Sequence, residues 1–210
     1  MNDLLIIQFA KWPLLGNVKT RLARSIGNEK ALEVHLILMN EVLDKLIAAK
    51  QGDTELWLNE IPAQQTCMAS IIQKTQKNNI VCKVQQGVNL GDKMADAIVS
   101  SLKKYNKVII VGSDCPNISV SILAEASKAL DKTDLVIGPA EDGGYVLIGA
   151  SRFDACIFAD VAWGQGAVFV KTQENARNLG FTETLLSESW DVDELADYER
   201  WLNTKNTKVN

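Results

Sequence analysis

Histidine is nearly absent from this chain of 210 residues, which has only His35, and its four cysteines, Cys67, Cys82, Cys115 and Cys156, stand far apart with no C-x-x-C. That scarcity argues against a Cys/His zinc site and against a disulfide framework. An excess of positive charge is missing too. With 22 Lys and Arg against 26 Asp and Glu the formal charge is −4, so nucleic acid and anionic membrane are disfavoured as partners and any polyanion must meet a local basic patch. No uncharged run approaches the roughly 18 residues of a membrane span, and Met1 to Ala10 lacks the basic lead-in of a secretory leader. A soluble cytoplasmic protein without a membrane span is expected. Neither G-x-x-x-x-G-K-[ST] nor G-x-G-x-x-G occurs. Internal repeats and low-complexity tracts are lacking as well, so residues 1–203 read as one domain, with a polar tail at 204–210.

What is present, 47% hydrophobic and 23% charged residues, suits a domain with a sizeable core. The pattern alternates strands with helices. Leu4 to Ala10 reads as a buried strand that ends in a loop at Lys11-Trp12-Pro13. From Glu29 to Lys50, Leu32, Leu36, Met39, Leu43 and Leu46 recur at helical spacing behind Asn28 as cap. Strands are expected at Thr54 to Asn59 and Ile80 to Gln85, and helices at Thr66 to Lys77 and from Gly91 to Tyr105. Val108 to Val111 is the clearest buried strand. Ser119 caps a helix to Leu130, and Leu135 to Pro139 and Tyr145 to Gly149 flank a glycine turn. A helix at Gly166 to Gly180, a strand at Thr182 to Leu186 and a helix at Asp193 to Leu202 complete the pattern. Such alternation implies an α/β fold, a three-layer α/β/α sandwich around a mostly parallel mixed sheet.

Sheets of this kind bind ligands beyond the carboxyl ends of their strands, which directs attention to four segments. Lys11 to Arg24 holds four basic residues and no acidic one directly after the first strand. Its backbone amides, with Gly16 at the turn, and its cations suit a phosphate cradle, although a solvated basic loop has the same composition. Asp114, between Gly112 and Pro116 and just past a buried strand, suits a hard divalent cation such as Mg²⁺ or Mn²⁺, or a turn. Glu141-Asp142-Gly143-Gly144-Tyr145 follows the next strand: its glycines permit close approach of a ligand and Glu141 or Asp142 suits a hydroxyl or metal-bound water, while Asp-Gly-Gly equally makes a hairpin turn. Asp191 and Asp193 stand before the last helix, where a carboxylate either faces the cleft or caps the helix.

Lys11-Trp12-Pro13-Leu14-Leu15-Gly16-Asn17-Val18-Lys19-Thr20-Arg21-Leu22 resembles the K-x-P-x-x-G-x-V-K-T-R-L signature of bacterial nucleotide-diphospho-sugar transferase-like proteins of the GT-A fold, a family of unknown function whose members are commonly labelled glycosyltransferases. Gly112 to Pro116, Gly138 to Ala140 with Asp142 to Tyr145, Trp163-Gly164 and Asp191 to Asp193 match its other blocks in order, over roughly Leu4 to Trp201. A more distant resemblance runs to the 2-phospholactate and molybdenum cofactor guanylyltransferases. The resemblance implies that Lys11, Lys19 and Arg21 contact nucleotide phosphates and that Asp114 and Asp193, with Asp191 as a further candidate, hold the metal. Gln165 stands where the family has Ser or Thr, and Glu194 follows Asp193 where it has threonine.

The expected function is a Mg²⁺- or Mn²⁺-dependent transferase that uses an NTP or sugar nucleotide and moves a nucleotidyl or glycosyl group to a small-molecule acceptor. Asp114 and Asp142 are the candidate catalytic carboxylates, the Lys11, Gly16, Lys19 and Arg21 loop binds phosphate, and Gly143, Gly144, Tyr145 and Trp163 are candidates for substrate contact. A homodimer is one possible assembly. The competing class is a nucleotide-binding or regulatory module without turnover, since the sequence shows no general base. His35, at the edge of the apolar stripe of its helix and distant in sequence from each of these loops, reads as a packing or surface residue.

Overall fold

The computed structural model describes residues 2–62 and 68–207; Cys67, and Thr66 where a helix start is expected, lie outside the described residues. β1 (Asn2–Ala10) runs through the middle of a seven-stranded sheet. Its run Leu4-Leu5-Ile6-Ile7 is buried throughout, as a strand covered on both faces requires. It pairs in parallel with β2 (Asp53–Leu58) and with β4 (Tyr105–Gly112), and β3 (Val81–Val84) continues the sheet beyond β2. On the other side β6 (Tyr145–Ala150) lies antiparallel between β4 and β5 (Leu135–Pro139), and β7 (Glu183–Leu185) closes the edge parallel to β5. The strand order is β3-β2-β1-β4-β6-β5-β7.

Alternation along each strand feeds two layers of helix. Leu5, Ile7 and Phe9 pack with Ile98 of α4 (Leu90–Leu102) and Ala176 of α6 (Val168–Asn178). Leu4 and Ile6 face the opposite way, onto Val42 and Leu46 of α2 (Asn28–Ala49) and Leu123 of α5 (Val120–Ala129). On that same face Met39 and Leu43 meet Leu56, Leu58 and Ile71, the last from α3 (Ala69–Lys77). α1 (Thr20–Ile26) and α7 (Leu195–Thr207) pack outside α2, where Leu22, Val34, Leu38, Trp190, Val192 and Trp201 form a separate cluster. This is the expected three-layer sandwich. No described helix is long and apolar enough to cross a membrane.

Ser119 caps α5 as expected, accepting from Ile122 N–H at 3.2 Å. Three local expectations are corrected. Residues 20–26 form α1 rather than a loop. Asn28 is the first residue of α2, not its cap; Gly27, at φ +84°, precedes the helix without a side-chain cap. The last helix runs to Thr207, past Leu202 and into the segment read as a polar tail.

The chain lays down β1, β2 and β3 in one direction, then returns through α4 to set β4 on the far side of β1. The strand order therefore reverses between β1 and β4, the switch point where sheets of this kind have their ligand crevice, outside the carboxyl ends of the strands.

Candidate functional site

Four of the segments singled out in the sequence meet at this crevice. β1 ends at Ala10, and the next residues turn back on themselves, with Asn17 N–H donating to the Leu14 carbonyl at 3.0 Å and Gly16 at φ +80°. Lys19 then adopts a left-handed conformation at φ +49°, and its carbonyl accepts from Ala23 N–H to begin α1. That geometry turns the Lys19 side chain inward. Only 4% of it is exposed, and Nζ donates to Asp114 Oδ2 at 2.6 Å.

Asp114 follows β4 in the gap opposite. A Cβ on Gly112 would stand 3.2 Å from Asp114 Oδ1, so the glycine leaves that carboxylate room. Val192 N–H donates to the Asp114 carbonyl at 3.1 Å and stitches the segment before α7 to this turn. Arg21, in the first turn of α1, donates to Asp193 Oδ2 at 2.8 Å and also pairs with Glu194, both in the open. Asp197 takes the capping role, accepting from the N–H groups of Asp193 and Glu194 at 3.1 and 2.8 Å. The carboxylates of Asp191 and Asp193 are thereby left to the crevice.

The charges are strongly coupled. Burial works against the Lys19 ammonium, but Asp114, with Asp193 and Asp191 behind it, raises its pKa above the ordinary lysine value. Burial likewise opposes ionisation of Asp114, and Lys19 overcomes it, so that carboxyl lies below the usual range. Among the described residues Asp191 has no ion-pair partner of its own. Burial first, then the Asp114 carboxylate, with smaller contributions from Asp142 and Asp193, push it up to about 7 against the partial relief of Lys19.

The other candidates serve the crevice less directly. Asp142 is exposed, and its Oδ1 accepts from Gly144 N–H at 2.9 Å, closing the β5–β6 turn. At Gly143, φ is +83° and a Cβ would come 2.0 Å from the Gly166 carbonyl oxygen, so close approach here is to the chain's own backbone. Phe169 N–H donates to the Gly143 carbonyl at 2.9 Å. The Tyr145 hydroxyl is buried, with Thr172 of α6 as its neighbour, and its ring meets Trp163 edge-on. Trp163 packs against Phe158 and lies over Gly91, where a Cβ would approach its ring to 2.5 Å. Glu141 is engaged in a two-pronged pair with Arg200, whose guanidinium lies 4.3 Å over the Trp190 ring. Glu194 and Asp197 were invisible as site residues because their partners lie far away or on the backbone.

Among the described residues no three His, Cys, Asp or Glu side chains converge to enclose a cation. The donor chemistry nevertheless fits Mg²⁺ or Mn²⁺, which take one or two carboxylates and complete their shell with water and phosphate oxygens. Asp114 and Asp193 supply such oxygens, with Asp191 electrostatically coupled to both.

No curated protein matches the chain. Among solved structures, a candidate nucleotide-diphospho-sugar transferase from Desulfovibrio desulfuricans G20 is 30% identical, with 94% of this chain and 85% of that one covered at a TM-score of 0.82. A nucleotidyl transferase from Methanothermobacter thermautotroptrophicus shares the fold at 14% identity, 97% and 100% coverage and a TM-score of 0.63. So does Rv0371c from Mycobacterium tuberculosis in its complex with manganese, at 16% identity, 97% and 99% coverage and a TM-score of 0.54. The profile of a bacterial family described as "Uncharacterized protein conserved in bacteria (DUF2064)" matches residues 42–165, a stretch that holds Asp114, the Asp142–Tyr145 turn and Trp163, and the chain belongs to that family.

Proposed function

We propose that this protein is a transferase that holds a nucleotide-activated donor by its diphosphate, with Mg²⁺ or Mn²⁺, and passes a nucleotidyl or glycosyl group to a small acceptor. The observation that carries the reading is the crossed pairing at the switch point: Lys19 against Asp114, and Arg21 against Asp193. Cations for phosphate and carboxylates for a metal stand side by side where such a fold binds nucleotides. The similarity to a candidate nucleotide-diphospho-sugar transferase and to a nucleotidyl transferase supports it.

In either version the same residues do the work. Lys11, Lys19 and Arg21 bind the diphosphate, backbone amides around Gly16 add donors, and Asp114 and Asp193, with Asp191, hold the divalent ion. That ion, when bound, neutralises charge on the departing diphosphate. For nucleotidyl transfer the acceptor oxygen bonds to the α-phosphorus as the α–β bridging P–O bond breaks and its electron pair leaves with pyrophosphate. For glycosyl transfer the acceptor hydroxyl oxygen bonds to the anomeric carbon as the C–O bond to the nucleoside diphosphate breaks, and the hydroxyl proton is lost to solvent. Both put negative charge in the same place, beside Lys19 and Arg21, and catalysis by positioning and charge stabilisation follows.

The test is a thermal-shift and calorimetric panel of NTPs and sugar nucleotides with Mg²⁺, Mn²⁺ or EDTA, followed by ³¹P NMR of candidate reactions. Metal-dependent stabilisation by at least one nucleotide is expected, about 2.7 kcal/mol at 100 times Kd. Binding without turnover of any donor would favour the non-catalytic module. No shift from any nucleotide with either metal would overturn the reading.

A further inference from the structure

His35 is a buried titratable group that this reading leaves unused. Its ring is 3% exposed on α2, beside Val34 and Leu38, where an apolar side chain would complete the packing. Instead Nε2 lies 3.0 Å from the carbonyl oxygen of Lys11. A carbonyl only accepts, so Nε2 carries the proton and donates. Burying a polar ring is costly unless it is hydrogen-bonded, and the Lys11 carbonyl supplies that bond.

What it positions follows from the peptide geometry. The Lys11 carbonyl and the Trp12 N–H belong to one planar unit. His35 holds the oxygen side of that plane, and Asn59 Oδ1 accepts from its N–H on the other. The preceding plane is held as well: the Ala10 carbonyl accepts from Gln85 Nε2 and from Asn59 N–H, each at 3.2 Å. Both planes flanking the Lys11 Cα are therefore fixed, and two fixed planes determine the direction of Cα–Cβ. The three side chains come from α2, from the end of β2 and from the end of β3. Among the described residues Lys11 makes no ion pair, whereas Lys19 and Arg21 are already engaged.

We propose that His35 is a positioning residue that, through the Lys11 carbonyl, aims the Lys11 ammonium at the polyphosphate of the donor. The inference rests on the phosphate reading of the loop but goes beyond it, because it makes the Lys11 contact depend on a helix side chain that the phosphate reading does not itself use. The ring itself touches no phosphate and transfers no proton.

The test is a double-mutant cycle on binding of inorganic pyrophosphate with Mg²⁺, measured by calorimetry on folded protein. Lys11→Ala and His35→Phe, which keeps the ring but has no N–H, should each weaken binding about tenfold, the usual scale of one charge-assisted contact. The double variant should bind no more weakly than either single one, since both remove the same contact. His35→Gln, whose amide reaches the Nε2 position, should restore most of the affinity. Should His35→Phe fail to fold, Asn59→Leu, which releases the other side of the same peptide, takes its place in the cycle. Wild-type affinity in the deletion variant, or losses that multiply in the double variant, would overturn the inference while leaving the polyphosphate reading intact. If the wild type binds no pyrophosphate with either metal, that reading falls and the inference with it.

Discussion

Replacing Lys19 separates the stability of this site from its ligand chemistry. A charge on a solvated loop contributes little to stability, and the composition of residues 11–24 suggests that situation for every cation there. The structure contradicts it for Lys19, whose side chain is 4% exposed against Asp114. Removing one partner of a buried pair costs about 3–5 kcal/mol, because the other is left as an uncompensated buried charge. Asp114 is 32% exposed at its side chain and regains some hydration, so Lys19→Ala should cost about 2–3 kcal/mol. Asp114→Asn strands the more deeply buried ammonium instead and should cost at least as much, contrary to the near-neutral effect expected of an isolated metal ligand. The double variant Lys19→Met with Asp114→Asn should recover much of the loss. Arg21→Ala, whose side chain is 57% exposed, should leave stability almost unchanged. At roughly 2–4 °C per kcal/mol for a chain of this size, the Lys19 variant melts about 5–10 °C low and the Arg21 variant almost normally. The pH signature follows from the two shifts. Asp114 is lowered, so its contribution is present above the unfolded carboxyl value and is lost as pH falls through the folded one; Lys19 is raised, so its share is present below the unfolded lysine value and is lost as pH climbs through the folded one. The pair thus stabilises a broad window around neutrality. Urea titrations in EDTA from about pH 3 to about pH 11, with melting curves at neutral pH, measure these outcomes. Equal melting of Lys19→Ala and wild type, or an Arg21 variant as damaged as the Lys19 one, would refute the reasoning.

Three further outcomes are expected. Asp191, pushed up to about 7, disfavours the folded state as pH rises through that value, so metal-free Asp191→Asn should be more stable than wild type at pH 8 and indistinguishable near pH 4; parallel curves across that range would remove the carboxylate cluster from the argument. Gly143→Ala puts a Cβ 2.0 Å from the Gly166 oxygen at φ +83°, and should destabilise by more than about 2 kcal/mol in chemical denaturation. Tyr145→Phe removes a buried hydroxyl that sits beside the Thr172 hydroxyl, so stability should change by under about 1 kcal/mol; a specific loss of substrate affinity would restore a ligand role to that hydroxyl.

The sheet was legible because its signals are local. Val108 to Val111 and Leu4 to Ile7 are β-branched or apolar runs of strand length, and the glycine turn between β5 and β6 joins neighbours that do pair. α1 was hidden because it starts from a left-handed lysine rather than a Ser, Thr or Asp cap, and Leu22 is its one fully buried residue. The buried face of α2 is wider than the stripe of leucines suggested, since the helix packs against the sheet on one side and against α1 and α7 on the other. His35 lies in helical register with Met39, Val42 and Leu46 on the sheet side, and its partner is a carbonyl 24 residues upstream, which no side-chain pattern advertises.

The site was legible in parts and hidden in how the parts meet. Cations after β1 and carboxylates after β4 and before α7 were each found by position, as separate candidates for phosphate and for metal. The structure pairs them across 95 and 172 residues of chain. Lys19 and Arg21 face Asp114, Asp191, Asp193 and Glu194, two cations against four carboxylates, with Asp142 near Asp191. A polyphosphate approaching alone meets net repulsion and must break the Lys19 and Arg21 pairs, whereas one that arrives with a divalent cation brings a partner for the carboxylates it displaces. On the proposed reading the same crossed pairs would make the cation a condition of nucleotide binding, with Lys11, which makes no ion pair among the described residues, offering the first attractive contact.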